Sequence, residues 1–330
     1  MIKMNKKALT VLILALVLIF SGCLGKGDKA AGAYPGVLIT NFRSDFAEVE
    51  SEETTMVALD FDNRGGYMAK NVEGILLRKG AFTAPGTTDY DGTTEIINIE
   101  SPLDNVYSGD EFYWNLKAPR VAQDRMEEVQ ARLSYNYKTE AYATLHFVPQ
   151  SIIREQGAEA FSLSQFSSNS PVAITIEATH PIIIREADVT KYKAGLGGKT
   201  VRINLIFTDT GAGRVYSATD KDDAFFGALG ASAQCTKPED CIDSVSIEIT
   251  GGDCDVKSIQ NIFKEYNEFT ELQPLQGIKL IQGSQGRYAI SEEFEVENPN
   301  AATSCQLHVT ANYRYQIDSS VLPIKIKALD

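Results

Sequence analysis

The residues of this chain that could do chemistry are few, and most of them are cysteines. Cys23 stands alone in the stretch FSGCLG (20–25), directly behind an apolar run, while Cys235, Cys241, Cys254 and Cys305 all fall in the C-terminal half. The thiolate is the nucleophilic form of this side chain, so a cysteine at a processing junction can accept a group. An even set further along an exported chain can close bridges. Four cysteines allow three pairings, of which Cys235 with Cys241 and Cys254 with Cys305 is the favoured one. Zinc is not indicated, because there is no CysXxxXxxCys spacing and His146, His180 and His308 do not cluster with the thiols.

Other reactive patterns are absent from the sequence. There is no nucleophile elbow, zincin motif, Walker loop or dinucleotide fingerprint. GLGGK (195–199) lacks the spacing of a phosphate loop and reads as a hairpin turn. Acidic residues are too numerous to single out a glycosidase-type pair. No catalytic residue, cofactor or metal is therefore assigned, and the chain reads as a non-enzyme. DYDG (89–92) and DKDD (220–223) offer hard oxygen ligands of the kind calcium takes, which leaves room for weak calcium binding, although neither fits an EF-hand loop and both read first as solvated turns.

These features need a location. Lys3, Lys6 and Lys7 precede 13 mostly apolar residues that end in Ser21 and Gly22, the layout of a secretory signal. The run is shorter than the roughly 20 residues a spanning helix needs, so a plain transmembrane anchor is the lesser reading. FSGC resembles the lipobox of prokaryotic lipoproteins, with Phe20 standing where Leu, Val or Ile is usual. The resemblance implies that Cys23 becomes the first mature residue and that its sulfur carries lipid. Residues 1–22 are then a lipoprotein signal peptide and 23–35, rich in small and charged residues, a flexible tether. The body is expected outside the cell, held to the outer face of the cytoplasmic membrane through Cys23. Removing residues 1–22 takes away three lysines and no acid, so the net charge moves from −13 to −16. A field of that sign excludes nucleic acid as a partner.

The elements that must position these residues are strands. Short alternating or apolar runs, bounded by Gly, Pro, Asn and Asp about every ten residues, predict an all-β chain. They also repeat. VLITNF (37–42) is answered by VAITIE (172–177), MVALDFDNRGG (56–66) by INLIFTDTGAG (203–213), and RLSYNY (132–137) by TANYRY (310–315). The expectation is two tandem Ig-like antiparallel β-sandwiches, over 36–150 and 171–330, joined by a linker at 151–170. The second carries insertions: a disulfide-stapled loop and a short helix at 256–269, where Ile259, Ile262, Phe263 and Tyr266 recur at helical spacing. Tyr135 and Tyr137, like Tyr313 and Tyr315, share a strand face and are expected in the core with each hydroxyl at a polar rim.

TMVALDFDNRGGYMAKNV (55–72), VYSGDEFYWNLKAP (106–119) and the following SYNY resemble the Ig-like domains of the CARDB type and of archaeal envelope proteins. The second half matches more loosely, with AsnPro at 298–299 in place of AlaPro. The resemblance implies adhesion or scaffolding and carries no catalytic residue across. The expected function is a lipid-anchored cell-surface interaction or scaffold module whose partner is an envelope protein or glycan. The alternative is an anchored solute-binding or carbohydrate-active protein using an inter-domain cleft. Phe225 and Phe226, in the apolar inserted loop 224–234, are the candidate partner contact, set against the plainer role of plugging their own core.

Overall fold

A computed structural model describes residues 36–83, 96–103, 106–185, 197–216, 240–250, 254–256, 275–281, 285–296 and 300–328. The strands, in chain order, are β1 (Val37–Ser44), β2 (Glu48–Glu50), β3 (Thr54–Asn63), β4 (Ala69–Arg78), β5 (Ile97–Ile99), β6 (Ser108–Lys117), β7 (Arg125–Pro149), β8 (Ser164–Ser167), β9 (Val172–Ala178), β10 (Ile182–Ile184), β11 (Gly197–Asp209), β12 (Arg214–Tyr216), β13 (Cys241–Thr250), β14 (Cys254–Val256), β15 (Leu275–Lys279), β16 (Gln285–Val296), β17 (Thr303–Asp318) and β18 (Leu322–Lys327). One described helix, α1 (Gln150–Gln156), and a 3₁₀ turn at Ala158–Phe161 follow β7.

Among the described residues the strands form three sheets: β1–β3–β6, β9–β11–β16–β14, and an 11-stranded sheet built on β7 and β17. Burial sets the layering. From Glu127 to Phe147 every odd-numbered residue of β7 is buried, while the even positions are half-buried or exposed, with Ser134 buried as well. One face of the long strand therefore lies under a core along nearly its whole length. The three-stranded sheet covers the first part: a Cβ on Gly74 of β4 would lie 2.8 Å from Phe112 and 3.1 Å from Trp114, both on β6. The four-stranded sheet covers the last part, where the Phe147 and Phe294 rings are 5.1 Å apart. Both small sheets thus pack on the same face of the large one, and a single hydrophobic cluster runs through both halves.

The repeat seen in the sequence recurs bond for bond. Ile39 pairs with Phe61, and Ile174 with Phe207, in the same antiparallel arrangement. Residues 125–149 run antiparallel to 303–326, so that Tyr135 faces Tyr315 and Tyr137 faces Tyr313. The pairing is two-fold in character about Asn136 and Arg314, because adding 178 to one tyrosine of each facing pair gives a tyrosine of the other.

This pairing changes how the halves relate. The segment Ala141–Pro149 of β7 leaves the first half and pairs there with β17, β8 and β10. In return, β18 comes back from the C-terminal end to pair with Arg125–Val129 of β7 and, in parallel, with β2. Each half lends the end of its last strand to the other, and Tyr34–Asp330 forms one compact unit. Residues 151–170, expected as the linker, hold all but the first residue of α1, the 3₁₀ turn and β8, which pairs with β7.

One local expectation also changes. Gly197, Gly198 and Lys199 pair with Val296, Glu295 and Phe294, so that part of GLGGK is strand rather than turn. Of the expected 256–269 helix, Val256 ends β14 and residues 257–269 lie outside the described residues; the described helix α1 is a separate element that follows β7.

Candidate functional site

The tyrosine mesh explains itself structurally. Tyr135 accepts the Val37 N–H at 3.1 Å, and its counterpart Tyr313 accepts the Val172 N–H at 3.2 Å. Tyr137 accepts from Tyr67 N–H and donates to Asn63 Oδ1; Tyr315 accepts from Gly213 N–H and donates to Asp209 Oδ1 at 2.7 Å. The same acceptors take Gly65 N–H and Gly211 N–H. Each hydroxyl thus satisfies a buried or half-buried backbone amide at a strand start or in the adjoining loop. Since these bonds recur in both halves, they belong to the fold.

A second cluster does not recur. On the outer face of the large sheet, Glu140 accepts hydrogen bonds from Lys138 Nζ at 2.7 Å, Tyr67 Oη at 2.7 Å and Tyr142 Oη at 3.1 Å. Lys138 Nζ sits 4.3 Å above the Tyr67 ring. Burial works to raise the Glu140 pKa, yet the three donors outweigh it and hold the carboxyl at about 2. Burial, joined by the carboxylate it serves, pushes Tyr67 well above the ordinary phenol range.

Beside Glu140 a row crosses four strands. Phe166 on β8 is paired with Tyr142 on β7, Tyr142 with His308 on β17, and His308 with Glu248 on β13. The Tyr142 and His308 rings stack at 4.3 Å with 5° between planes, and His308 Nδ1 lies 3.4 Å from Glu248. Phe166 is 62% exposed and Tyr142 39%. A groove of 430 Å³ opens on one side of Lys138, lined by Tyr67, Met68, Lys70, Asn136 and Asn312 among others. A smaller one of 160 Å³ lies beside Tyr142 and Phe166.

The repeat provides a test of purpose for this cluster. At the related positions of the other half stand Gln316 for Lys138, Asp318 for Glu140, Ser320 for Tyr142, Gly213 for Tyr67 and Gln130 for His308. Asp318 there closes a plain ion pair with Arg132, at 2.6 Å and 3.0 Å. The fold therefore does not require the aromatic and charged set on one side of its pseudo-two-fold axis.

No family model matches the chain, and no curated protein matches it. Among solved structures it is similar to the MSCRAMM ACE of Enterococcus faecalis, described as binding its ligands by a collagen hug, at 8% identity over 88% of this chain and 95% of that one, with a TM-score of 0.16. The collagen adhesin CNA of S. aureus matches at 10% identity over 90% and 94%, TM-score 0.10. The collagen-binding domain of the Erysipelothrix rhusiopathiae surface protein RspB matches at 8% over 90% and 98%, TM-score 0.11. At such TM-scores the likeness carries no argument.

Of the residues singled out from sequence, Cys23, Cys235, Phe225 and Phe226 lie outside the described residues, as do the acidic loops 89–92 and 220–223. Among the described residues no bridge has both ends placed and no group of three or more metal-binding side chains occurs. Cys241 and Cys305 are nevertheless both disulfide-bonded. They are not bonded to each other: Thr250 pairs with Gln306 and Ser244 with Asn312, which places Cys241 roughly 30 Å along the sheet from Cys305. Among the described residues no helix is long and apolar enough to cross a membrane. Sequence reasoning missed Lys138, Glu140, Tyr142 and His308. The signal was present in the alternation of β7, where the positions between the buried ones read Asn136, Lys138, Glu140, Tyr142.

Proposed function

We propose that this chain is an exported, non-catalytic interaction module, anchored through lipid on Cys23, that contacts an envelope protein or glycan with the outer face of its shared sheet. The observation that supports this reading is the asymmetry of the Tyr67–Lys138–Glu140–Tyr142–His308 cluster in a fold whose core repeats. A carboxyl held at about 2 stays ionised near neutral pH and is unsuited to act as a general acid, which weighs against the carbohydrate-active alternative at this site. The bridges Cys235–Cys241 and Cys254–Cys305 complete the proposal, each taking one of the two bonded cysteines.

Binding of the exported body to isolated cell envelope tests the surface. The double variant Tyr142→Ala, Phe166→Ala should lose at least about tenfold in retention, equivalent to about 1.4 kcal/mol, with melting little changed because both side chains are exposed or nearly so. Protease or periodate treatment of the envelope separates a protein from a glycan partner. Full retention by the double variant would reject the surface. Separately, Cys23→Ser should release the chain from the membrane fraction, and an unmodified Cys23 thiol in the wild-type chain would reject the anchor.

A further inference from the structure

The groove beside Lys138 holds polar groups that neither the core nor the outer cluster uses. Lys70 on β4 pairs with Asn136 on β7, and Lys138 with Asn312 on β17, so two adjoining rows of the large sheet's outer face supply much of its lining. Lys70 and Lys138 are diagonal neighbours on adjoining strands, their backbones roughly 7–8 Å apart. Tyr67 and Met68 add apolar lining. The volume of 430 Å³ falls within the roughly 300–1,000 Å³ range of small-molecule sites. No carboxylate lines the groove, although the chain carries 44 Asp and Glu against 31 Lys and Arg. Lys138 is matched by Glu140, and Arg314, across the ladder from Asn136, by Glu73. Lys70 is matched by no acid among the described residues, and the Asn136 carboxamide has no hydrogen-bond partner among them. The groove therefore keeps one uncompensated cation beside one unclaimed amide. In the other half Tyr216 pairs with Arg314 where Lys70 pairs with Asn136, and Gln316 stands for Lys138, so the fold does not require this set.

We propose, on the reading of the outer face as the contact surface, that this groove binds one carboxylated sugar, a uronic acid unit of an envelope glycan. Charge sets the first requirement. Fields fade over about 8 Å at physiological ionic strength, so a ligand seated in the groove meets Lys70 rather than the acidic body as a whole. Hydrogen-bond type sets the second. An ammonium only donates, which suits a carboxylate, whereas a carboxamide both donates and accepts, which suits a hydroxyl. A ligand with one carboxylate, neighbouring hydroxyls and a C–H face to lie on Tyr67 and Met68 is a sugar acid. Phosphate matches less well, because the backbone N–H groups that could cradle it are committed to the ladders of β4, β7 and β17. An acidic peptide brings carboxylates without the ring of hydroxyls that Asn136 can read.

Titration calorimetry of the full chain in a sugar-free, non-ionic detergent tests this, with trigalacturonate as the probe. Saturable binding is expected, about tenfold or more tighter than that of the same trisaccharide with its carboxyls reduced to alcohols. Lys70→Met and Asn136→Ala should each weaken trigalacturonate binding about tenfold and leave melting unchanged, because Lys70 is exposed and Asn136 half-buried on the solvent face. Lys70→Arg should retain most of the binding. Trigalacturonate that fails to bind, or that binds Lys70→Met as well as wild type, overturns the groove; the outer face still stands if Tyr142→Ala, Phe166→Ala loses the envelope. Equal binding of the reduced trisaccharide, or of a triglutamate peptide, overturns the sugar acid. Full envelope retention by the Tyr142→Ala, Phe166→Ala variant rejects the outer face and the groove together.

Discussion

The repeat places an asparagine and an aspartate in equivalent positions, and the difference should be visible in the pH dependence of folding. Asn63 Oδ1 and Asp209 Oδ1 each take a tyrosine hydroxyl and a glycine N–H. Burial raises the Asp209 pKa, opposed by the Tyr315 and Gly211 bonds and helped by Asp240, to about 6. The folded protein then holds this proton more tightly than the unfolded chain, whose aspartate titrates near 3.8. The sign follows: stability from this group is complete below the unfolded value and is lost as pH rises through about 6. A gap of about two pKa units corresponds to at most about 3 kcal/mol, and partial exposure to solvent lowers the expectation to about 1–2 kcal/mol. Asp209→Asn keeps the acceptor oxygen and removes the charge. Urea unfolding at pH 4 and pH 8 should therefore show the variant more stable than wild type by that amount at pH 8, with the advantage gone at pH 4. The reverse change, Asn63→Asp, should cost several kcal/mol at neutral pH, because Asn63 is fully buried and its Nδ2 donates to the carbonyls of Tyr67, Ile99 and Glu100. A difference between wild type and Asp209→Asn that is the same at both pH values would refute the reasoning.

The close approach of loop and tyrosine gives a second expectation: a Cβ on Gly65 would meet Tyr137 Oη at 2.0 Å and one on Gly211 would meet Tyr315 Oη at 2.3 Å, so Gly65→Ala and Gly211→Ala should each lower stability by about 2–4 kcal/mol in denaturant melts. Non-reducing peptide mapping should recover Cys235 with Cys241 and Cys254 with Cys305, and loss of the second bridge should cost about 4 kcal/mol in the chain-entropy picture. A Cys235–Cys254 peptide would reject that pairing. The outer carboxylate should behave oppositely to Asp209: stability tied to Glu140 is present above its unfolded pKa and is lost as pH falls from there toward about 2, so Glu140→Gln should flatten the acid limb of a melt series.

What the sequence made legible was whatever depends on period and on local partners. Alternation along 132–137 and 310–315 marked the buried tyrosines, and the spacing from Phe61 to Gly65, repeated from Phe207 to Gly211, marked the shared turn that caps them. Strand exchange was not legible. The run 125–149 has no break near Ala141 where it leaves one half for the other, because both segments alternate with the same phase. A strand's pattern states which face is buried and says nothing about which neighbour lies beside it. The outer cluster escaped for a related reason: Lys138 and Glu140 are unremarkable as solvent-face residues, and only the pairing of β7 with β8 and β17 lines up Phe166, Tyr142 and His308 in one row.

The exchange itself can be tested through residues far from the half they support. Ile324 and Ile326 on β18 are both fully buried, and this strand pairs with Arg125–Val129 and with Glu48–Glu50, all in the first half. Replacing both isoleucines by alanine removes buried methyl groups at about 2–5 kcal/mol each. If the C-terminal strand belonged to a self-contained second domain, amide hydrogen exchange would quicken among residues 171–330 and leave the first half protected. With exchanged strands, the amides that lose protection first are those of Arg125–Val129 and Glu48–Glu50, nearly 200 residues and more from the mutated sites in the chain but beside them in the sheet. Protection along Val172–Ala178 should fall less than at Arg125–Val129, since that strand pairs with β11 and has no pairing with β18. Faster exchange confined to the second half, with Arg125–Val129 unaffected, would return the molecule to two independent sandwiches.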